Sequence, residues 1–400
     1  MSDKKEKVLI VHNYYQIPGG EDTVVANEKQ LLEMHGHETV LYTRHNSELK
    51  SLSKFQKLLL PFSTIFSIRT YQEVKRIIKE EKIEIVHVHN TLNMVSPSVY
   101  YAAFSEKVPV IQTVHNFRLL CPGATFYRKG QICEECVTKG LMCAVKHRCY
   151  RGSRLQTLAC VISSWVHRSI GTYQKLNYIC LTEFNKKKLL ELKQINPKNV
   201  YIKPNFVQPS DTIVPYTERK KQFVYVGRIE EIKGIRILLK AWKILGEKAP
   251  TLLVCGTGPL EEWANTYINT HRLENVQMLG FVENSKVRKL IAESTALILP
   301  TQVYEGFPMT IAESYACGTP VVGSDQGNTG SLIEEGVSGL KFRYDSSESL
   351  AEKIVELLRS PIEMNSEVIH KYSSEENYKL LRDIYEKCSD HHEYSSTLSS

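Results

Sequence analysis

The chain has 400 residues, too many for one ordinary domain, so two are expected. Its composition, 42% hydrophobic and 24% charged, excludes a disordered or collagen-like chain, and no apolar run approaches the ~20 residues needed to span a bilayer. The formal net charge of +7 is spread along the chain and suits phosphorylated ligands or anionic lipid; with no reader motif present, nucleic acid is not an expected partner.

The opening stretch "MSDKKEKVLIVHNYY" passes from charges straight into a strand. It has no apolar signal region, so a cytoplasmic location is expected. Further strands in the first half are "ETVLYTR", "IEIVHVHN", "VPVIQTVHN" and "NYICLTE", with helices over Thr23–His35, Tyr71–Lys82 and Ser96–Ser105. "NPKNVYIKPNFVQPSDTIVPYTERKKQ" combines prolines with polar residues and reads as a linker. Beyond it come the strands "KQFVYVGR", "TLLVCGTG", "NVQMLGF", "ALILPTQ", "TPVVGSD" and "SGLKFR". Helices are expected near Gly234–Glu247, Glu261–Thr270, Ser285–Glu293, Thr310–Cys317 and Ser347–Leu358. "SSEENYKLLRDIYEKCSD" reads as a last helix and "HHEYSSTLSS" as a disordered polar tail.

Continuous apolar strands alternating with amphipathic helices indicate parallel sheets covered on both faces. The expected fold is therefore α/β: two Rossmann-like doubly wound domains facing across a cleft. The ranges are 1–205, with a cysteine-containing insert at about 117–155, then 206–372, then 373–400 as a helix and tail. Ligands of such sheets bind beyond the carboxyl ends of the strands.

In "FVYVGRIEEIKGIRILLKAW", Arg228 follows a strand end, and Lys233 and Gly234 precede a helix. Two cations beside a helix N-terminus make an anion site, the Arg binding two oxygens in a plane and the Lys acting as a point charge. The plainer alternative is two solvated loop cations. In "PTQVYEGFPMTIAESYACGTPVVGSD", Glu305 follows a strand, Gly306 permits close backbone approach and Pro308 suits a first helical turn. The main-chain N–H groups of Phe307, Met309 and Thr310 would be free to receive phosphate oxygens. Glu305 and Glu313 are suited to sugar and ribose hydroxyls, since a carboxylate accepts two hydrogen bonds.

Glu305–Glu313 resembles the E-x7-E element of retaining glycosyltransferases of family four, and Gly227–Gly234 resembles that family's G-R-x4-K-G element. "VCGTGPLEEW", "VPVIQTVHNF" and "PGGEDTVV" resemble three further family elements, and all five occur in the family's order over almost the whole chain. The resemblance implies the GT-B architecture, with the last helix returning to the N-terminal domain. It implies that Arg228 and Lys233 hold a donor diphosphate, Glu313 the ribose, and Glu305 the donor sugar with the Gly306–Thr310 backbone. Gly19 and Gly20 would approach phosphates and acceptor, and His115 would sit at the sugar end, acting by its ring or by its main-chain carbonyl. The base would lie near Phe281, Val282, Gly256 and Gly258. No cofactor is required for catalysis in this scheme.

The activity implied by the resemblance is that of a metal-independent, retaining hexosyltransferase using a nucleotide-diphosphate sugar, most often a UDP-sugar. Its acceptor would be a saccharide or a lipid-linked molecule of bacterial surface polysaccharide or glycolipid assembly. The alternatives are a nucleotide-sugar epimerase of the same fold and a non-catalytic nucleotide-sugar-binding protein. Two segments lie outside this scheme. Cys133, Cys136, Cys143 and Cys149 could hold a structural zinc, with Cys121 and His147 as spare ligands, or be reduced, partly buried thiols. Residues 50–75, with Leu58, Leu59, Leu60, Phe62, Ile65 and Phe66 flanked by Lys54, Lys57, Arg69 and Lys75, read either as a peripheral contact with the inner face of the cytoplasmic membrane or as a core helix.

Overall fold

The computed structural model describes residues 5–16, 19–51, 53–210 and 213–397, with side chains for all of these but 54–59 and 391–397. Pro18 of the first glycine loop and the side chains of Lys54, Lys57, Leu58 and Leu59 thus lie outside the described residues. The chain forms two compact units, one of residues 1–124, 134–204 and 377–400, the other of residues 125–133 and 205–376. The expected insert is therefore divided, since residues 125–133 belong to the second unit.

The strands are β1 (Val8–Tyr14), β2 (Thr39–His45), β3 (Ile85–Val88), β4 (Val110–Val114), β5 (Tyr127–Arg128), β6 (Gln131–Ile132), β7 (Asn177–Cys180) and β8 (Val200–Ile202). They continue with β9 (Lys220–Val226), β10 (Thr251–Cys255), β11 (Val276–Gly280), β12 (Ser294–Leu299), β13 (Val321–Ser324) and β14 (Gly339–Phe342). The first unit carries a parallel sheet in the order β2-β1-β3-β4-β7-β8. Val8, Leu9, Ile10 and Val11 are wholly buried, as a strand covered on both faces requires. The second unit's sheet, also parallel, runs β11-β10-β9-β12-β13-β14. β5 and β6 form a separate antiparallel hairpin.

Each sheet reverses its direction of winding once, between β1 and β3 in the first and between β9 and β12 in the second. A crevice opens beyond the strand ends at such a switch point. His12 and His89 stand at the first, and Arg228 and Glu305 follow the strands that flank the second.

Strand and helix limits differ from expectation where a side chain caps. β7 stops at Cys180 because Thr182 Oγ1 accepts from Asn185 N at 3.0 Å and starts the helix Glu183–Leu189. The helix expected from Tyr71 begins at Ile68, with Ser67 Oγ accepting from Thr70 N at 3.2 Å. The final helix Ser374–Thr397 runs through most of the expected tail, which holds no Gly or Pro to stop it. From Asn377 onward it belongs to the first unit, as the returning helix was expected to. There the Tyr378 ring stacks on His35 at 3.6 Å, and Lys203 Nζ donates to Asn377 Oδ1 at 3.1 Å.

Candidate functional site

In the second unit the segment after β9 and the segment after β12 are tied together by side chains. Lys233 Nζ donates to Glu305 Oε1 at 2.7 Å, and Thr301 Oγ1 donates to the same oxygen at 2.8 Å. Gln302 N donates to the carbonyl of Ile232 at 2.8 Å. Gly234 has φ +76°, and a Cβ there would stand 1.7 Å from the carbonyl oxygen of Pro300, so only glycine allows these two backbones to touch. Arg228 is 65% exposed and lies 3.5 Å from Glu230, which leaves its guanidinium largely in solvent beside the loop.

The turn after β10 packs on the same loop. Gly227 N donates to Cys255 O and Ile229 N to Thr257 O, both at 3.0 Å. A Cβ on Gly256 would lie 1.9 Å from Gly227 O, and one on Gly258 2.5 Å from Ile229 O. Gly256 N also donates to Gly280 O at 2.7 Å, which sets Phe281 and Val282 next to the turn. Phe281 is 80% exposed, an unusual place for a phenyl ring without a partner.

The loop after β12 leads into the helix Met309–Ala316, so Met309 and Thr310 occupy its first turn, where N–H groups precede the helical ladder. The Phe307 side chain turns inward, edge-on to Tyr372 at 5.5 Å, which leaves its main chain as the part available to a ligand. Glu313 is half-buried, and burial raises its carboxyl above the ordinary range, partly offset by Arg288. It is therefore not a solvated helix residue. Asn328 was missed by the sequence reading. Fully buried, it donates from Nδ2 to the carbonyls of Glu305 and Gly306 and so fixes the acidic loop. The signal available was "QGNTG" directly after β13, a glycine-bounded polar turn at a strand end.

In the first unit, His115 follows β4 and lines a cavity of about 100 Å³ with His89, Asn90, Asn116 and Arg118. Gly19 and Gly20 open the helix Gly20–Met34 and are both exposed. Gly19 is extended, with φ −132° and open space around its Cβ position, so its use is access rather than strain. Asp22 Oδ2 accepts from Gly19 N at 3.0 Å and its Oδ1 pairs with His12 Nε2 at 2.8 Å. Burial pushes His12 down to about 4, so that ring is neutral. Glu21, also unremarked in the sequence, accepts from Tyr15 OH at 3.0 Å. Burial lifts its carboxyl to about 8, with Tyr15 and Arg118 pulling the other way.

The cysteine segment is divided between the two units. Cys133 belongs to the second unit, and Cys136, Cys143 and Cys149 to the first. The Cys136 thiol is pushed up by a hydrogen bond with Cys121, by burial, and by the charges of Cys121, Cys149 and Cys143. Its sulfur neighbours thus include Cys121, which the expected set had only as a spare. Among the described residues, the metal-ligating atoms found within 4.8 Å of one another are those of Glu28, His87 and His89; the four cysteines form no such group.

Within residues 50–75, the helix Lys54–Ile65 packs against the helix Arg154–Ser169, and Ser163 Oγ donates to Thr64 O at 3.4 Å. Phe62 is 68% exposed, while Leu60 and Ile65 are half-buried, so the segment is neither wholly core nor wholly surface. Its partner helix adds exposed Leu155, Ile162 and Trp165, at 79%, 39% and 64%. Among the described residues no helix is long and apolar enough to cross a membrane.

The glycosyl transferases group 1 family model matches residues 211–374, and the glycosyltransferase family 4 model matches residues 18–211. An uncharacterized glycosyltransferase of Methanocaldococcus jannaschii is 25% identical over 401 residues, covering 96% of this chain and 99% of that protein. A crystal structure of a glycosyltransferase from Rickettsia africae superposes with a TM-score of 0.68 at 16% identity, covering 96% of this chain and 98% of that one. Anabaena HepE in complex with UDP does so with a TM-score of 0.60 at 16% identity, covering 98% and 99%. With the glycine turns, the paired Lys233 and Glu305 and the two doubly wound sheets in place, the chain belongs to the family-four type of GT-B glycosyltransferases.

Proposed function

We propose that this glycosyltransferase is a retaining, metal-independent hexosyltransferase that uses a UDP-sugar, with the second unit holding the donor and the first the acceptor. The observation that carries the reading is the Lys233–Glu305 pair at the β9/β12 switch point, 2.7 Å apart. It sets a cation for diphosphate beside a carboxylate for a sugar hydroxyl. Cleaving the anomeric bond leaves negative charge on the departing diphosphate. Arg228, Lys233 and the first turn of the helix Met309–Ala316 would stabilise it electrostatically, in positions fixed before the reaction. Glu313 would take the ribose diol and Phe281 the base. Among the described residues no carboxylate stands out as a nucleophile, so retention would proceed by attack from the leaving-group face. UDP is favoured as the nucleotide by the ligand named for the Anabaena structure.

The acceptor in this reading is a saccharide or lipid-linked molecule of surface polysaccharide or glycolipid assembly, met at the cytoplasmic face of the membrane. The exposed Phe62, Leu155, Ile162 and Trp165 support a peripheral contact there, with Arg69, Arg154 and Lys175 also exposed in the same unit. The test is a thermal-shift panel of UDP-, GDP- and ADP-sugars on the wild type and on an Arg228→Ala, Lys233→Ala double variant. A shift with UDP-sugars alone, absent from the folded variant, is expected; a ligand at a hundred times its dissociation constant adds about 2.7 kcal/mol. A shift that survives in the double variant overturns the anion site.

A further inference from the structure

A buried charge network runs beneath the His115 cavity, and the transferase scheme makes no use of it. Glu28, His87, His89 and Lys203 are each 3% exposed or less. Glu28 Oε2 accepts from Lys203 Nζ at 2.7 Å. Its Oε1 lies 3.1 Å from His87 Nδ1 and 3.3 Å from His89 Nε2. His89 Nδ1 in turn meets His115 Nε2 at 2.9 Å. The returning helix closes the network: Tyr385 OH bonds His87 Nδ1 at 2.8 Å and Asn377 Oδ1 accepts from Lys203. A metal ion at this cluster has a poor case, because Lys203 already supplies the cation and Tyr385 and Thr113 already bond both nitrogens of His87.

Burial opposes the charge of Glu28, but the Lys203 ammonium outweighs it and holds the carboxyl well below its usual range. Burial drives His87 down to about 3 and His115 well below the ordinary imidazole value, so both rings are neutral. For a neutral His89 ring, stacked between these two, the position of its one proton decides the rest. If His89 carried it on Nδ1, its Nε2 lone pair would face the ionised Glu28 at 3.3 Å with no other partner, two acceptors in a dry interior. With the proton on Nε2, His89 donates toward Glu28 and its Nδ1 accepts from His115. The second arrangement leaves no repulsive contact.

We propose that Glu28, acting through His89, holds His115 as its Nε2-protonated tautomer and so presents the His115 Nδ1 lone pair to a substrate hydroxyl at the cavity. Glu28 and His89 are positioning residues; His115 is the group that meets substrate, which rests on the transferase reading. Nδ1 is the ring atom of His115 that takes no partner among the described residues, and the cavity beside it carries the hydrogen-bonding side chains Asn90, Asn116 and Arg118. The second nitrogen of a histidine is commonly set in this way by the bond that the first one makes.

The test is long-range proton–nitrogen correlation spectroscopy on the full chain labelled with ¹⁵N-histidine, with the His115 signals identified by their loss in His115→Gln. The expected wild-type spectrum shows His115 protonated on Nε2. His89→Gln, whose amide can accept from His115 and donate to Glu28, keeps that tautomer, and His89→Leu loses it. A wild-type His115 protonated on Nδ1 overturns the proposal, as does an unchanged tautomer in His89→Leu. Should His89→Leu not fold, the wild-type and His89→Gln spectra still decide. Turnover of UDP-glucose on the same samples keeps the donor reading separate. Tautomers as expected with no turnover in any sample would count against the donor and leave this assignment standing.

Discussion

Lys233 and Glu305 are 72 positions apart in the chain and meet at 2.7 Å through Oε1, the oxygen that Thr301 also donates to. Oε2 of Glu305 takes no partner among the described residues, which leaves one carboxylate oxygen for a ligand while the other steers the lysine. The two residues should therefore fail differently. Lys233→Met should weaken UDP and UDP-glucose alike by about 10- to 100-fold, the worth of a hydrogen bond to a charged group. Glu305→Gln should leave UDP binding within a few-fold and lower only the added affinity for the sugar. Isothermal titration of both ligands against both variants reads this split, and equal losses across the set would contradict it.

Phe281 is 80% exposed and sits at the end of β11, joined to the Gly256 turn through Gly280. An exposed ring contributes little to folding, so Phe281→Ala should leave the melting temperature near that of the wild type. If the ring stacks on the base, the same change should cost about 1–3 kcal/mol of UDP affinity. Binding unchanged in Phe281→Ala would place the base elsewhere.

The fold was legible in the sequence because buried parallel strands write themselves as continuous apolar runs; β1 and β14 were read to within one residue at either end, and β4 and β12 in their apolar centres. The packed glycine turns of the second unit were legible for a second reason. Gly234, Gly256 and Gly258 stand where backbones touch, and glycine marks such points in any single sequence. Glu28 and His89 were not legible. Each works by meeting a residue far along the chain, Lys203 lying 175 positions from Glu28, and no local period or turn chemistry records such a meeting. The place of Cys121 beside Cys136 was hidden for the same reason, since spacing alone does not record it.

Glu21 makes stability depend on pH in a direction opposite to that of most carboxylates. Burial first, against the pull of Tyr15 and Arg118, raises its carboxyl from an ordinary 4.5 to about 8. Between those values the folded protein binds the proton and the unfolded chain does not, so stability falls as pH rises through that window. The contribution is fully present below the lower value and lost above the higher. Glu21→Gln keeps the neutral shape and should flatten this part of the profile, with the variant the more stable of the two near pH 8. Melting temperatures of both proteins from pH 5 to about 8.5 provide the check. Parallel profiles would mean that Glu21 titrates normally.

The exposed apolar residues of the helix Arg154–Ser169 and the neighbouring Phe62 give the last prediction. Leu155, Ile162 and Trp165 recur at spacings of seven and three, which places them along one side of that helix. Such a stripe with basic residues around it should enter the headgroup boundary of an anionic bilayer and be held there by charge. The wild type should sediment with phosphatidylglycerol-containing vesicles at low salt and much less with phosphatidylcholine alone. Raising the salt to 0.5 M should reduce binding, since charges at the surface are screened over about 10 Å already at 0.1 M. Trp165→Glu and Leu155→Glu should each lower the partition by about tenfold, near the ~1.4 kcal/mol that separates decades, without changing the melting temperature. Equal sedimentation of the wild type and both variants would show that another surface carries the contact. Absence of binding at low salt would remove the membrane from the proposed function and leave a free saccharide as the acceptor.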